Sequence, residues 1–244
     1  MSPFSYEAEL IGLAIALYLF DSSVLLYANQ GIMTCSRGGH WSVSSGWRGF
    51  LLAGRTVCVV NPFAPQEPAF RLGWRINRPV PSPIDHGWSQ LAVPLHRLRW
   101  PVVIAGTALF VLLPIGLFTR AGVYATVTAL TLLYGSTAVG LYLLHGQRQQ
   151  LDMNGRHFWG FAFECMACPP FAVNMVRRLS LARAVSEPLP GAAARLLDRS
   201  AWTSFYTDCA GRLEAELQRT TPGSPEQLAL MSQRSWLDGL GSGG

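Results

Sequence analysis

The sequence predicts a mainly α integral membrane protein with three transmembrane helices. Three observations carry that expectation. Half of the 244 residues are hydrophobic and only 14% are charged, against about 25% charged in ordinary soluble domains. Val102–His145 holds two apolar runs separated by Thr119-Arg120-Ala121, each close to the roughly 17–25 residues a membrane helix needs. A further apolar stretch, residues 8–28, has spanning length near the N-terminus.

The first expected helix belongs to segment 1–29. Asp21-Ser22-Ser23 interrupts it, and at helical spacing Tyr18, Asp21, Ser22, Leu25 and Asn29 share one face. That face is expected to pack on the hairpin, because a charge at membrane depth costs at least about 2.5–3.5 kcal/mol and turns toward protein or water. Glu7 and Glu9 stand where a cleavable signal would be basic, so no signal peptide is expected.

Segment 30–101 reads as a cytoplasmic loop in two parts. Residues 40–63 are rich in β-branched and aromatic side chains, with breaks at Ser45-Gly46 and Gly54, which predicts short antiparallel strands. Residues 61–101 carry eight of the sixteen prolines, which argues against a regular helix or central strand. The same stretch holds Phe63, Phe70, Arg71, Trp74, Arg75, Arg78, Trp88 and Trp100. It is expected to be an extended arm that buries its aromatics at the membrane interface or on a partner.

The hairpin follows over 102–145. Its second helix, about 101–118, contains Pro114 and Gly116, and its third, about 122–145, carries small residues four apart at Thr131/Gly135 and Ser136/Gly140. Such spacing lets helices approach closely. Segment 146–186 includes an apolar run that holds Glu164 and Asn174 and is broken at Pro169-Pro170. It is read as interfacial or re-entrant helices, with Phe171, Met175, Leu179 and Ala182 as the apolar stripe. Segment 187–244 is read as a cytoplasmic amphipathic helix over 201–219, a short helix capped by Ser224, and a flexible tail.

All nineteen basic residues are arginine, and the net charge is +5. None precedes helix 1; eight lie in 30–101, one in the hairpin turn and ten after residue 146. Excess positive charge marks the cytoplasmic side, which predicts a bacterial inner-membrane protein with a periplasmic N-terminus and a cytoplasmic C-terminus. Because arginine clusters beside apolar runs, the basic charge points to membrane lipids and not to nucleic acid.

Two constellations are candidates for chemistry. His157, Glu164, Cys165 and Cys168 fall on one stripe if a helix runs through them. Two thiolates with His and Glu form a plausible set for zinc, or the cysteine pair could be redox-active. The second is an intramembrane ion pair of Asp21 with Arg97, Arg99 or His145, residues expected at the same membrane level. No phosphate-binding glycine loop or nucleophile motif is present. The expected function is an accessory or scaffolding subunit of an inner-membrane assembly, without chemistry or a cofactor of its own and with membrane-protein partners. The alternatives are a membrane-surface metal or redox protein and a lipid- or small-molecule-binding membrane protein.

Overall fold

The computed structural model describes residues 4–27, 29–36, 39–45, 50–74, 87–119, 122–183 and 187–242. The chain divides into two compact units, each gathered from separate stretches. Unit 1 comprises Met1–Val24, Val59–Pro68 and Ser89–Ala182; unit 2 comprises Leu25–Cys58, Ala69–Trp88 and Arg183–Gly244.

The expected mainly α, three-span architecture is overturned. Among the described residues the fold is mixed α/β, with two three-stranded sheets as well as helices, and two helical stretches, Ala92–Phe118 and Gly122–Gln147, are long and apolar enough to cross a membrane. The first helix, α1, covers Phe4–Ser22 and is followed at once by strand β1, Ser23–Leu26. Glu7, Glu9 and Asp21 lie within α1, so its apolar stretch is too short and too charged to pass as a span. The Ser23 hydroxyl donates to Phe20 O at 2.7 Å, a local bond that competes with continuing the helix.

The strand content also exceeds the expectation. β2 (Gln30–Cys35), β3 (Trp41–Ser45), β4 (Phe50–Leu52), β5 (Arg55–Val59) and β6 (Ala69–Gly73) complete the two sheets, in orders β1-β5-β4 and β3-β2-β6. β6 falls inside the proline-rich stretch because Ala69–Gly73 lies in a gap between prolines. Helix α2, Gly87–His96, forms in a second gap and tolerates Pro94 inside it. β4 and β5 are joined by Ala53-Gly54, with Leu52 opposite Arg55 and positive φ at both turn residues (50° and 75°). That is the two-residue turn whose twist matches paired strands.

In unit 1 the hairpin is built from α3 (Arg99–Thr107), a π-helical segment at Ala108–Leu112, α4 (Leu113–Phe118) and α5 (Gly122–Gln147). Tyr18 of α1 packs with Ala105, Ala108, Leu109, Leu133 and Val173, and its ring meets Phe110 edge-on at 4.9 Å. α4 and α5 approach closely: a Cβ on Gly116 would lie 2.7 Å from Thr126 N.

Helices α6 (Gly155–Ala167), α7 (Pro169–Val173) and α8 (Met175–Leu181) complete unit 1. Asn154 caps α6 by accepting from His157 N at 2.8 Å. Amphipathic interfacial helices were expected here, and this is a second correction. In α8, Met175, Val176, Arg177, Leu179 and Ser180 are all buried, so α8 is an interior helix. An isolated stripe reading placed its arginines on a solvated face; tertiary packing encloses one of them.

Unit 2 centres on the β3-β2-β6 sheet, antiparallel throughout, with Met33 opposite both Val43 and Phe70. Helices α9 (Leu189–Leu196), α10 (Arg199–Arg219) and α11 (Pro225–Ser242) accompany it. A Cβ on Gly31 would lie 2.8 Å from Leu189 Cδ2, so glycine admits α9 against β2. Trp74, 1% exposed, donates from Nε1 to Gln233 Oε1 at 3.4 Å. Ser224 caps α11 by accepting from Gln227 N at 3.2 Å, while Gln227 Oε1 accepts from Gly223 N at 2.6 Å.

Candidate functional site: a buried arginine clamp beside an apolar groove

The most unusual side chain in unit 1 is Arg177, which is 1% exposed. Burying an unpaired cation costs several kcal/mol, so its partners matter. Its NH2 group donates to Ala64 O at 2.7 Å and to Asn61 O, and NH1 lies 3.5 Å from Ser22 Oγ. Burial pushes its pKa down, opposed by Tyr18 and by the more distant Glu67 and Asp21. Among the described residues no carboxylate forms an ion pair with it, and its Nε has no hydrogen-bond partner.

Arg177 therefore holds a loop. Residues 60–68 make no regular structure, and their polar backbone is satisfied piece by piece. Ala64 N donates to Asn61 O at 3.2 Å and Glu67 N to Ala64 O at 3.1 Å. Phe63 N donates to Asn61 Oδ1 at 3.1 Å. The Tyr18 hydroxyl donates to Pro62 O. Two side chains from distant parts of the sequence thus occupy the carbonyls of one short loop.

Asn174 anchors the same region. It is fully buried, and its Nδ2 donates to Tyr18 O at 3.2 Å and Ser22 Oγ at 3.0 Å. Tyr18 O and Ser22 Oγ belong to the end of α1, where the intrahelical ladder runs out of donors. Asn174 also separates α7 from α8, so one residue both breaks a helix and caps another.

Beside this cluster lies a charge group. Arg178 Nε is 3.5 Å from Asp21 Oδ1, and Arg178 NH2 pairs with Glu164 Oε2. The Arg178 guanidinium also sits 4.4 Å from the Phe171 ring centroid and 5.5 Å from that of Phe161, within cation–π range. Burial raises the Asp21 pKa and the Arg178 charge opposes that shift.

The loop roofs a groove of about 330 Å³. Its walls include Tyr18, Gln66, Val103, Gly106, Phe110 and Val173. Tyr18 joins the three parts of the site: it walls the groove, packs in the core and ties down the loop.

The residues singled out in the sequence are distributed as follows. Asp21 pairs with Arg178, and among the described residues no ion pair joins it to Arg97, Arg99 or His145. The His145 ring packs edge-on against Phe158 at 5.0 Å. His157, Glu164, Cys165 and Cys168 all lie on α6 or its C-terminal cap. Glu164 is engaged by Arg178, and Cys165 is buried, its thiol pushed up to about 12 by that burial. Among the described residues no group of three or more His, Cys, Asp or Glu is placed to hold a metal ion. Of the arm residues, Phe70 and Trp74 are enclosed in unit 2, Arg71 lies on β6, and Phe63 and Trp100 are exposed. Arg75, Arg78 and the Trp88 side chain lie outside the described residues.

Arg177, Asn174, Tyr18 and Ser22 were not singled out as a site. Arg177 had no local signal, since a helix with an arginine every few positions reads as a solvated face. Asn174 did carry one: a lone amide inside an apolar run demands a partner.

Comparison with known proteins adds no further constraint: no protein family, curated protein or solved structure matches this chain.

Proposed function

We propose that this protein is a membrane-anchored accessory or scaffolding subunit of a bacterial inner-membrane assembly, held in the bilayer by the hairpin α3–α5. The observation that carries the reading is the exposed face of α5. Tyr124, Val127, Leu130, Leu132, Val139 and Tyr142 are all exposed large hydrophobics, and no charged residue occurs between Gly122 and Gln147. The exposed Thr128 and Thr131 turn their hydroxyls inward, each donating at 2.8 Å to the carbonyl four residues earlier. Water would satisfy those hydroxyls without help; hydrocarbon would not.

Two further features support it. Tyr124 and Tyr142 are separated by about 27 Å along α5 at 1.5 Å per residue, close to the roughly 30 Å hydrocarbon thickness, and interfacial aromatics favour such levels. Trp100, 64% exposed, stacks near Arg99 at 5.9 Å where α3 begins, an aromatic and a cation suited to the headgroup layer. The flanking Arg97, Arg99 and Arg148 support a cytoplasmic side for both hairpin ends. Large hydrophobics exposed along α5 are of the kind that marks membrane or partner contact, and unit 2 is a folded body available for partner contact.

The test is an alkaline carbonate wash of membranes from expressing cells, followed by native electrophoresis of a mild-detergent extract. The chain is expected to stay with the membrane pellet and to migrate in a species larger than a single copy. Release by carbonate overturns the anchor, and migration as a lone monomer overturns the subunit reading.

A further inference from the structure

The groove beside the arginine clamp faces the same hairpin. One wall is Val103, Gly106, Thr107, Phe110 and Val111, successive turns of the stretch Ala92–Phe118 that is long and apolar enough to cross a membrane. Phe110 lies about 16 Å along the helix from Arg99 at 1.5 Å per residue, roughly half of a 30 Å hydrocarbon core. The helix changes register there: Ala108–Leu112 is π-helical and contributes Phe110 and Val111 to the groove. Such single-turn π segments concentrate at functional sites. Gly106 carries no side chain into the space.

The opposite wall, Pro62–Gln66, is non-helical backbone. At membrane depth such backbone is tolerated only where it is buried in protein or lines a cavity, with its carbonyls satisfied. Arg177 and the Tyr18 hydroxyl supply the required donors. A chain that holds a loop in this position with a buried cation maintains the groove's shape; simple packing would close it with side chains. The lining is mostly apolar. The volume falls in the range of roughly 300–1,000 Å³ typical of small-ligand sites.

We infer that the groove between Val103–Val111 and the Pro62–Gln66 loop seats one acyl chain of a bilayer phospholipid, held as a structural or regulatory lipid. This rests on the membrane reading of the hairpin. Occupancy follows from location. Acyl chains are the medium at that depth, so the site needs shape and packing and not a large hydrophobic gain.

The experiment uses the full chain reconstituted in phosphatidylethanolamine/phosphatidylglycerol vesicles containing a trace of phospholipid with a photoreactive diazirine on one acyl chain. Adducts are located by peptide mass spectrometry after irradiation. The inference expects adducts concentrated on Gln66, Phe110 and Val111, above the density on Tyr124 and Val127. Thr107→Trp, which fills the groove from an exposed position, should reduce groove adducts about tenfold, equivalent to a loss of about 1.4 kcal/mol in occupancy. Adducts on Tyr124 and Val127 should persist. Val103→Trp is the second variant, should the first fail to give a monodisperse detergent complex. Adduct density in the groove no higher than on the outer face of α5, or unchanged by both variants, overturns the lipid site and leaves the anchor standing. Absence of adducts from the whole hairpin overturns the anchor as well.

Discussion

Replacing Arg177 by Met keeps most of the aliphatic stem and removes the guanidinium, and the consequence can be worked out from the loop it holds. Two hydrogen bonds from a charged donor to Asn61 O and Ala64 O are lost. Bonds to charged groups contribute about 1.5–3 kcal/mol each, so the clamp is worth about 3–6 kcal/mol to the closed loop. Against this, the substitution relieves the desolvation of a buried cation, itself several kcal/mol. Both carbonyls keep a backbone donor, Ala64 N and Glu67 N respectively, so no fully orphaned acceptor is added. Global stability is therefore expected to change little, by about 2 kcal/mol or less, while the loop opens locally. A loss of about 3 kcal/mol in local closing accelerates hydrogen exchange on the order of 100-fold. The assay is exchange mass spectrometry on peptides covering 60–68, with an α5 peptide as control. Arg177→Lys, a compact cation without the planar fork, should fall between the two. If exchange in 60–68 is unchanged in Arg177→Met, the arginine does not hold the loop and the account of the groove's roof is wrong.

Three further outcomes are expected. Gly116→Ala should destabilise the hairpin by about 1–3 kcal/mol, because its Cβ would meet Thr126 N at 2.7 Å. Gly135→Ala, with nothing within 4 Å, should not; thermal unfolding of both in detergent makes the comparison. In thiol alkylation at mildly alkaline pH, the partly exposed Cys168 should react well before Cys165. Burial keeps the Cys165 pKa near 12, far above the solution pH, so the thiol stays protonated; equal rates would reopen a reactive role for it. Trp74→Ala should cost unit 2 about 3–5 kcal/mol, read as a fall in the urea midpoint monitored by fluorescence; a retained midpoint would mean the buried indole contributes little.

The two apolar runs of the hairpin were legible without a structure, because length and the absence of charge are local properties. The helices occupy Arg99–Phe118 and Gly122–Gln147. The break at Pro169-Pro170 and the cap at Ser224 are local too, since each acts on backbone groups within one turn; the break at Asn174 was not read from the sequence. The end of α1 was only half legible. Asp21-Ser22-Ser23 marked an interruption, yet the sequence read it as a polar face of a continuing span. The helix instead stops there, because Asn174 satisfies Tyr18 O and Ser22 Oγ from 152 or more positions away.

Strand partners, burial and the clamp belong to tertiary structure. Proline density along 61–101 marked where helix and central strand are disfavoured, but it left gaps in which β6 and α2 form, β6 because β2 offers it an edge. Whether an arginine on an apolar helix faces solvent or the interior depends on which acceptors come within reach. Asn61 O and Ala64 O are 116 and 113 positions from Arg177, a separation at which residue spacing carries no information. Local pattern determined which stretches are apolar helices; only packing decided that one buried cation would hold a loop in place over a groove, because its desolvation cost is offset by carbonyls that folding alone brings to it.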